Sequence, residues 1–288
     1  MSFDWKKLLT SNWPEKVYSY TERDTILYAL GVGFGQDPLD TNELDFVFEK
    51  TGKLKAVPTQ ATVIAWDDAP IMDIGINTLM AVHGEQSVTL HKPLPTAGTV
   101  AASIRFPAIF DKGAGKGAVI LIETTIRDHN TKELLCTNRM TVFARGDGGF
   151  DGPEGSAPSA HPIPERQPDA VIDFKTRPDQ AFLYALSGDR NALHRDPVFA
   201  ANAGFPRPVL QGLCTYGAAC HAILKSQVGY DAAQIAEIGG RFSAPVFPGE
   251  MIRTEIWRDG SVVSFRCKLP ERKDAVAFNN GKAVLREQ

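Results

Sequence analysis

The stretch LYALSGDRNALHRDPVFAANAG, residues 183–204, places Asp189, Asn191, His194 and Asp196 within eight residues, just after an apolar run and a Ser-Gly break. Polar groups at this density are costly to bury unless each has a partner or a task. Asp196 followed by Pro197 has a plain structural reading: an N-cap with proline in the first helical position. Asp189 and Asn191 fit less well as caps. They lie in the turn itself, with His194 about one helical turn onward, so a carboxylate, an amide and an imidazole can be aimed at one point. A carboxylate beside an imidazole, with no serine on a Gly-x-Ser-x-Gly elbow and no base near Cys214 in sequence, suits general acid–base work on a water molecule better than covalent catalysis. Two such groups without a further His or carboxylate cluster make a thin metal site, so no metal is expected.

The elements that must hold this turn repeat along the chain, and a repeat decides the fold. RDTILYALGVGFGQDP in the first half aligns with PDQAFLYALSGDRNALHRDP in the second, bringing Tyr28 and Tyr184 into register. AVPTQATVI matches RPVLQGLCTYG, and LHKPLPTAGTV matches FSAPVFPGEMI, in the same order. The first copy has Gly31-Val32-Gly33 where the second has Ser187-Gly188-Asp189. It keeps the frame without the acid and the imidazole, which favours a functional role for the second copy's pair. In each half a helical period comes first (Ile26, Leu27, Leu30; Phe182, Tyr184, Leu186). Strand-like runs follow: SVTLHKPL, TVAASIRFPAIF, GAVILIETTIRD and LLCTNRMTVFAR, then MIRTEIWRD and SVVSFRCKL. This is an α+β pattern used twice, with two units able to pair through their sheets. Residues 146–170, crowded with Gly and Pro, read as the linker between residues 1–145 and 171–288.

The chain has 288 residues, 43% of them hydrophobic, and a net charge of -3. It offers no basic stripe for nucleic acid, and no run long and apolar enough for a membrane span. Neither the N-terminal nor the C-terminal residues carry a recognisable address, so a cytoplasmic location is expected. The four cysteines are scattered without a C-x-x-C pair and read as buried free thiols.

YALSGDRNALHRDPVFA closely resembles the signature of the (R)-specific enoyl-CoA hydratases, the hydratase 2 or MaoC-like dehydratases. YALGVG, VHGEQ, KPLP, VLQGLCTYG and GRFSAPVFPGE resemble segments of its two-repeat members. The resemblance implies a double hotdog, each repeat an antiparallel sheet around a long helix, with a catalytically degenerate first half. It implies reversible syn hydration of a trans-2-enoyl-CoA to a (3R)-3-hydroxyacyl-CoA, with the CoA thioester as substrate and no added cofactor. Asp189 and His194 match the pair that holds the water, Asn191 the third polar site residue, and Gly212 the backbone donor to the thioester oxygen. Glu85 in HGEQ, Arg241 in GGRFSAPV and Gln211 match positions on the substrate side. Two departures stand out: Ala192 replaces a usual proline, and Gln211 a frequent histidine. In such members the first half gives up catalysis for room, so GVGFG at 31–35 and the small residues at 56–61 are expected to widen the acyl pocket. A sheet-mediated homodimer is a further expectation. The alternatives are a dehydratase for a branched or dicarboxylic acyl-CoA on the same fold, a non-catalytic acyl-thioester binding subunit, and thioester hydrolysis.

Overall fold

A computed structural model describes residues 3–286, apart from 12, 154 and 156–158. Ten strands form one sheet: β1 (Lys16–Tyr20), β2 (Ala81–Leu90), β3 (Gly98–Asp111), β4 (Ala118–Asp128), β5 (Leu134–Ala144), β6 (Ala170–Lys175), β7 (Ile235–Phe242), β8 (Met251–Asp259), β9 (Val262–Leu269) and β10 (Ala275–Leu285). Their order is β1-β3-β4-β5-β2-β7-β10-β9-β8-β6, with every pairing antiparallel. From either edge inward the strands follow the same sequence of equivalents, and the halves join at β2–β7. The repeat read from the sequence is therefore a pseudo-twofold pair of sheets.

Six of the strands coincide with the Val-, Ile- and Thr-rich runs; β1, β6, β7 and β10 lie outside them. β7 is hard to read because Gly239 and Gly240 interrupt it. Close approach requires them: a Cβ on Gly239 would sit 2.5 Å from Ser87 Cβ, and one on Gly240 2.4 Å from the Phe278 ring. The seam between the halves thus needs residues of low strand propensity.

The helices are α1 (Trp5–Leu9), α2 (Glu22–Gly31), α3 (Leu44–Val47), α4 (Ala69–Met72), α5 (Gln180–Tyr184), α6 (Pro197–Asn202) and α7 (Gly212–Gln227). α7, with 16 residues, is the only long one among the described residues, and it is buried from Leu213 to Cys220. Ala, Leu and Cys dominate it, and its apolar character on all sides fits a helix wrapped by sheet. The described residues of the first half form no such helix. The matching segment opens as a 3-10 turn at Pro58–Thr62, where proline and β-branched residues weaken a regular helix.

The halves also meet through α2 and α5. The two tyrosines of the repeated Leu-Tyr-Ala-Leu are fully buried with ring centroids 6.0 Å apart. GVGFG does not widen a pocket, contrary to the expectation. Val32 and Phe34 are buried core residues, and Val32 packs so tightly on α7 that a Cβ on Gly217 would lie 2.4 Å from it. These glycines serve the turn after α2: Gly33 and Gly35 have φ of 104° and 74°. Described residues at both ends of the 146–170 segment bond to the sheet. The Asp111 carboxylate accepts from the backbone N–H groups of Gly149, Phe150 and Gly152, and Trp257 Nε1 donates to the Arg166 carbonyl at 2.7 Å.

Candidate active site

The turn after α5 is shaped by its own side chains. Gly188 takes φ of 142°, and its bare α-carbon lets Trp66 pack where a Cβ would be 3.1 Å away. Asp189 Oδ1 accepts from the Asn191 backbone N–H at 3.2 Å, and Asn191 Oδ1 accepts from Leu193 N–H at 2.9 Å. Asp196 Oδ1 caps α6 by accepting from Val198 and Phe199 N–H, as its sequence context indicates. Asn191 thus spends its carbonyl on the turn, and its backbone fixes one oxygen of Asp189.

The other oxygen, Asp189 Oδ2, stands 3.6 Å from His194 Nε2, with both side chains largely buried. On the far side of the ring, Nδ1 lies 2.9 Å from the Val209 carbonyl. A carbonyl only accepts, so Nδ1 carries a proton, and the tautomer that leaves Nε2 bare turns its lone pair toward Asp189. The two facing atoms are then both acceptors, too far apart for a hydrogen bond with each other. Their spacing suits one small donor shared between them.

The segment leading into α7 is stitched to this turn. Besides the Val209–His194 contact, Val209 N–H donates to the Leu193 carbonyl at 3.4 Å and Leu210 N–H to that of Val246 at 2.7 Å. Gln211 is 0% exposed; its amide donates to the Ala181 carbonyl at 3.0 Å and to that of Asp189 at 3.4 Å. It is placed within the turn's supporting network, tying α5 to the base of the Asp189 turn. Gly212 follows as the first residue of α7. The N–H groups of Gly212 and Leu213 have no acceptor within their own helix, and the α7 dipole adds positive potential there. A Cβ on Gly212 would meet the Phe242 ring at 2.9 Å.

Glu85 and Arg241 face each other across the β2–β7 seam. Glu85 Oε1 accepts from Arg241 Nη2 at 2.6 Å and from Nε at 2.9 Å, in a pair 29% and 47% exposed. The structure brings them to each other, one residue along the chain from Phe242.

Several residues beside the site carry no sequence signal. His83 packs on Phe242, ring centroids 4.7 Å apart, and Trp66 covers Gly188. Asp68 lies near Asp189; burial raises its carboxyl above the usual range, the Asp189 charge adds to this, and the Trp66 indole opposes it. Together with Leu213, His83 and Trp66 border a cavity of about 100 Å³ under residues 62–71, against the inner face of β2–β5. No residue of 31–35 borders this cavity. Ala56 and Pro58 border a separate cavity, of about 210 Å³, at the Leu90 end of β2. The four cysteines are free and buried; burial pushes the thiols of Cys136, Cys220 and Cys267 up to about 12 and that of Cys214 higher still.

Residues 18–146 match the family model of the MFE-2 hydratase 2 N-terminal domain, and residues 159–278 that of the MaoC like domain. The chain is 40% identical over 287 residues to an Arabidopsis thaliana protein named peroxisomal enoyl-CoA hydratase 2, covering 93% of this chain and 92% of that one. The chain belongs to the hydratase 2, MaoC-like family. Another member, a Mycobacterium tuberculosis protein named 3-hydroxyacyl-thioester dehydratase Y, is 43% identical over 84% of this chain and 83% of its own. Among solved structures, a MaoC-like dehydratase from Phytophthora capsici superposes with a TM-score of 0.88 at 34% identity, over 99% of both chains. A M. tuberculosis protein described as a double hotdog fold shares the fold at 13% identity and a TM-score of 0.58, over 96% of this chain and 97% of its own.

Proposed function

We propose that this hydratase 2 family member catalyses reversible hydration of trans-2-enoyl-CoA to 3-hydroxyacyl-CoA, with addition from one face giving the (3R) product. The observation that carries this is the pair of acceptors, Asp189 Oδ2 and His194 Nε2, 3.6 Å apart beside the start of α7. A water held between them gives one hydrogen to each. As its oxygen bonds to C3, the pair takes one proton from it and delivers one to C2, while the second hydrogen stays on the new hydroxyl. Electron density moves onto the thioester oxygen in an enolate-like transition state. The Gly212 N–H, at the positive end of α7, is the donor that meets it. Names of relatives support the reading: enoyl-CoA hydratase 2 and 3-hydroxyacyl-thioester dehydratase describe the two directions of one reaction. Because both groups are still in place in the second half, a purely binding subunit is disfavoured.

The chemistry asks for no metal or redox cofactor, and turnover is expected to survive exhaustive dialysis against a chelator. Glu85 and Arg241 are assigned to the CoA side of the site, with Arg241 available to a phosphate when the pair opens. Gln211 is assigned a positioning role behind Asp189. A homodimer and a cytoplasmic setting complete the proposal; four unpaired thiols fit a reducing compartment. No described helix is long and apolar enough to cross a membrane. The test is loss of the enoyl-thioester ultraviolet absorbance with crotonyl-CoA and longer homologues, followed by chiral analysis of the product. Release of free CoA thiol instead would identify thioester hydrolysis and overturn the assignment.

A further inference from the structure

The pseudo-twofold repeats one hydrogen bond and one packing contact, and the two copies of the contact differ. Gln60 Nε2 donates to Thr25 Oγ1 at 2.9 Å as Gln211 Nε2 donates to the Ala181 carbonyl at 3.0 Å, and Thr25 and Ala181 each stand three residues before the tyrosine of the repeated Leu-Tyr-Ala-Leu. The glutamines are therefore equivalent, and so are the sixth residues after them, Trp66 and Gly217. Val32 and Gly188, each the fourth residue after its tyrosine, are equivalent in the same way. In one copy of the contact Val32 fills the space over Gly217, where a Cβ would lie 2.4 Å from it. In the other Trp66 fills the space over Gly188, where a Cβ would lie 3.1 Å from Trp66 Cβ and 3.2 Å from Cγ. The bulk has changed sides. It cannot sit on the Asp189 turn itself, because Gly188 has φ of 142°, a conformation that L side chains rarely adopt. The first half supplies it instead, from a loop that is itself tied down. Asn138, in the wall of the cavity beneath that loop, donates from Nδ2 to the Ala61 carbonyl at 2.8 Å. Asp67 pairs with Lys16 of β1 at 2.6 Å and accepts from Ala69 N–H at 3.1 Å.

Building on the hydratase reading, we propose that Trp66 is a positioning residue for the reaction: it holds the Gly188–Asp189 segment so that Asp189 Oδ2 stays at water-sharing distance from His194 Nε2. A turn residue without a side chain has nothing of its own to lock it, and Asp189 is the next residue along. Gln211 bonds the Asp189 carbonyl at 3.4 Å from the α7 side, and Trp66 packs on Gly188 from the first half, so the segment is gripped from both halves. His194 has a separate anchor in the Val209 carbonyl at 2.9 Å. Slack at Gly188 would thus move one of the two facing acceptors and leave the other in place, spoiling the 3.6 Å gap between them. The half that lacks the acid and the imidazole takes part in the chemistry through this contact. The Trp66 atoms nearest Gly188 are Cβ, Cγ and Cδ2, all of which have counterparts in phenylalanine, so the indole N–H is not required.

The test is steady-state hydration of crotonyl-CoA, a short-chain substrate, by Trp66→Ala, Trp66→Phe and Met140→Ala proteins, each checked by circular dichroism and thermal unfolding. Trp66→Ala is expected to lose about tenfold to a hundredfold in kcat, with KM within about twofold of wild type. Trp66→Phe keeps the contacting atoms and should stay within about threefold of the wild-type kcat. Met140→Ala opens the same cavity from the β5 side and should keep the wild-type kcat. In an Asp189→Asn background Trp66→Ala should lower the residual rate no further, because its effect runs through Asp189. Wild-type kcat in Trp66→Ala, a loss carried by KM alone, an equal loss in Met140→Ala, or an additive loss in the Asp189→Asn background would each overturn the role. If Trp66→Ala does not fold, Trp66→Val, which also lacks an atom at Cδ2, is held to the same outcomes. A wild-type protein inactive on crotonyl-CoA and on longer trans-2-enoyl-CoAs would instead overturn the hydratase reading beneath it.

Discussion

Replacing Gly212 with alanine separates this account from a simple propensity argument. In a helix interior Gly→Ala stabilises by up to about 1 kcal/mol, an upper bound for Gly212 as the first residue of α7, so propensity alone favours Gly212→Ala. The structure opposes it. The new Cβ would lie 2.9 Å from Phe242 Cε1 and 3.0 Å from Cδ1, and ordinary contact begins near 3.4 Å, so the ring or the helix start must yield by about half an ångström. Phe242 has little room to give, held between His83 at 4.7 Å and Phe278 at 5.1 Å between centroids. Overpacking of this kind costs about 1–3 kcal/mol, leaving a net loss of roughly 0–2 kcal/mol. A 1 Å misplacement of a reacting group costs about a hundredfold, so half of that at the oxyanion donor predicts roughly a tenfold fall in kcat with KM little changed. Steady-state hydration of crotonyl-CoA and thermal unfolding measure both effects. Phe242→Leu in the same chain should restore most of kcat, giving a clear coupling energy in a double-mutant cycle. A Gly212→Ala protein that is more stable and as fast as wild type would refute the role given to the Gly212–Phe242 contact, as would a double variant with no rescue.

Further predictions concern stability and the substrate side. Glu43 is buried and accepts from His221 Nε2 at 2.9 Å, Tyr230 Oη at 3.0 Å and Gly35 N–H at 2.6 Å, joining the first half to α7 and the loop after it. Glu43→Ala leaves His221 Nε2 and the Gly35 N–H unmet, while Tyr230 Oη keeps Asp40 Oδ2 at 3.1 Å, and should cost about 3–5 kcal/mol in urea unfolding. Burial alone would raise the Glu43 carboxyl, but its hydrogen bonds, that from His221 foremost, hold it below the usual carboxylate range. Its contribution is therefore complete above the unfolded value of about 4.3 and is lost as pH falls through the lower folded value. Glu43→Gln should flatten that acid limb in a stability–pH profile. Arg241→Ala removes a half-exposed pair and should cost less than about 1 kcal/mol of stability. It should also raise KM for enoyl-CoA more than it lowers kcat; unchanged kinetics would place Arg241 outside the substrate side.

How much of this was legible in the sequence followed from how locally each feature is built. The turn proposed as catalytic is contiguous from Ser187 to Pro197, and its Asx-type bonds reach two or three residues, so residue types and spacing foretold its shape. Tyr28 and Tyr184 were legible through the repeated tetrapeptide, and the two meet in the core. The cavity was not legible. Trp66, His83 and Asn138 come from a loop and two strands, and what unites them is a helix that failed to form, because Pro58 and its β-branched neighbours turn the chain early. GVGFG misled for a related reason: glycine composition fits loosening and close packing equally, and only the position of Val32 against Gly217 distinguishes them. The Glu85–Arg241 pairing depends on β2–β7 register, which nothing in either strand alone sets.

The central claim is that Asp189 and His194 act together on one water. Its most direct test is hydration of crotonyl-CoA by Asp189→Asn and His194→Gln proteins, each shown by circular dichroism and thermal unfolding to be folded as wild type. The account predicts that each loses a hundredfold to ten-thousandfold in kcat. It also predicts that the double variant loses little more than the worse single one, because a water gripped from one side is already misdirected. Either single variant turning over at the wild-type rate would contradict it.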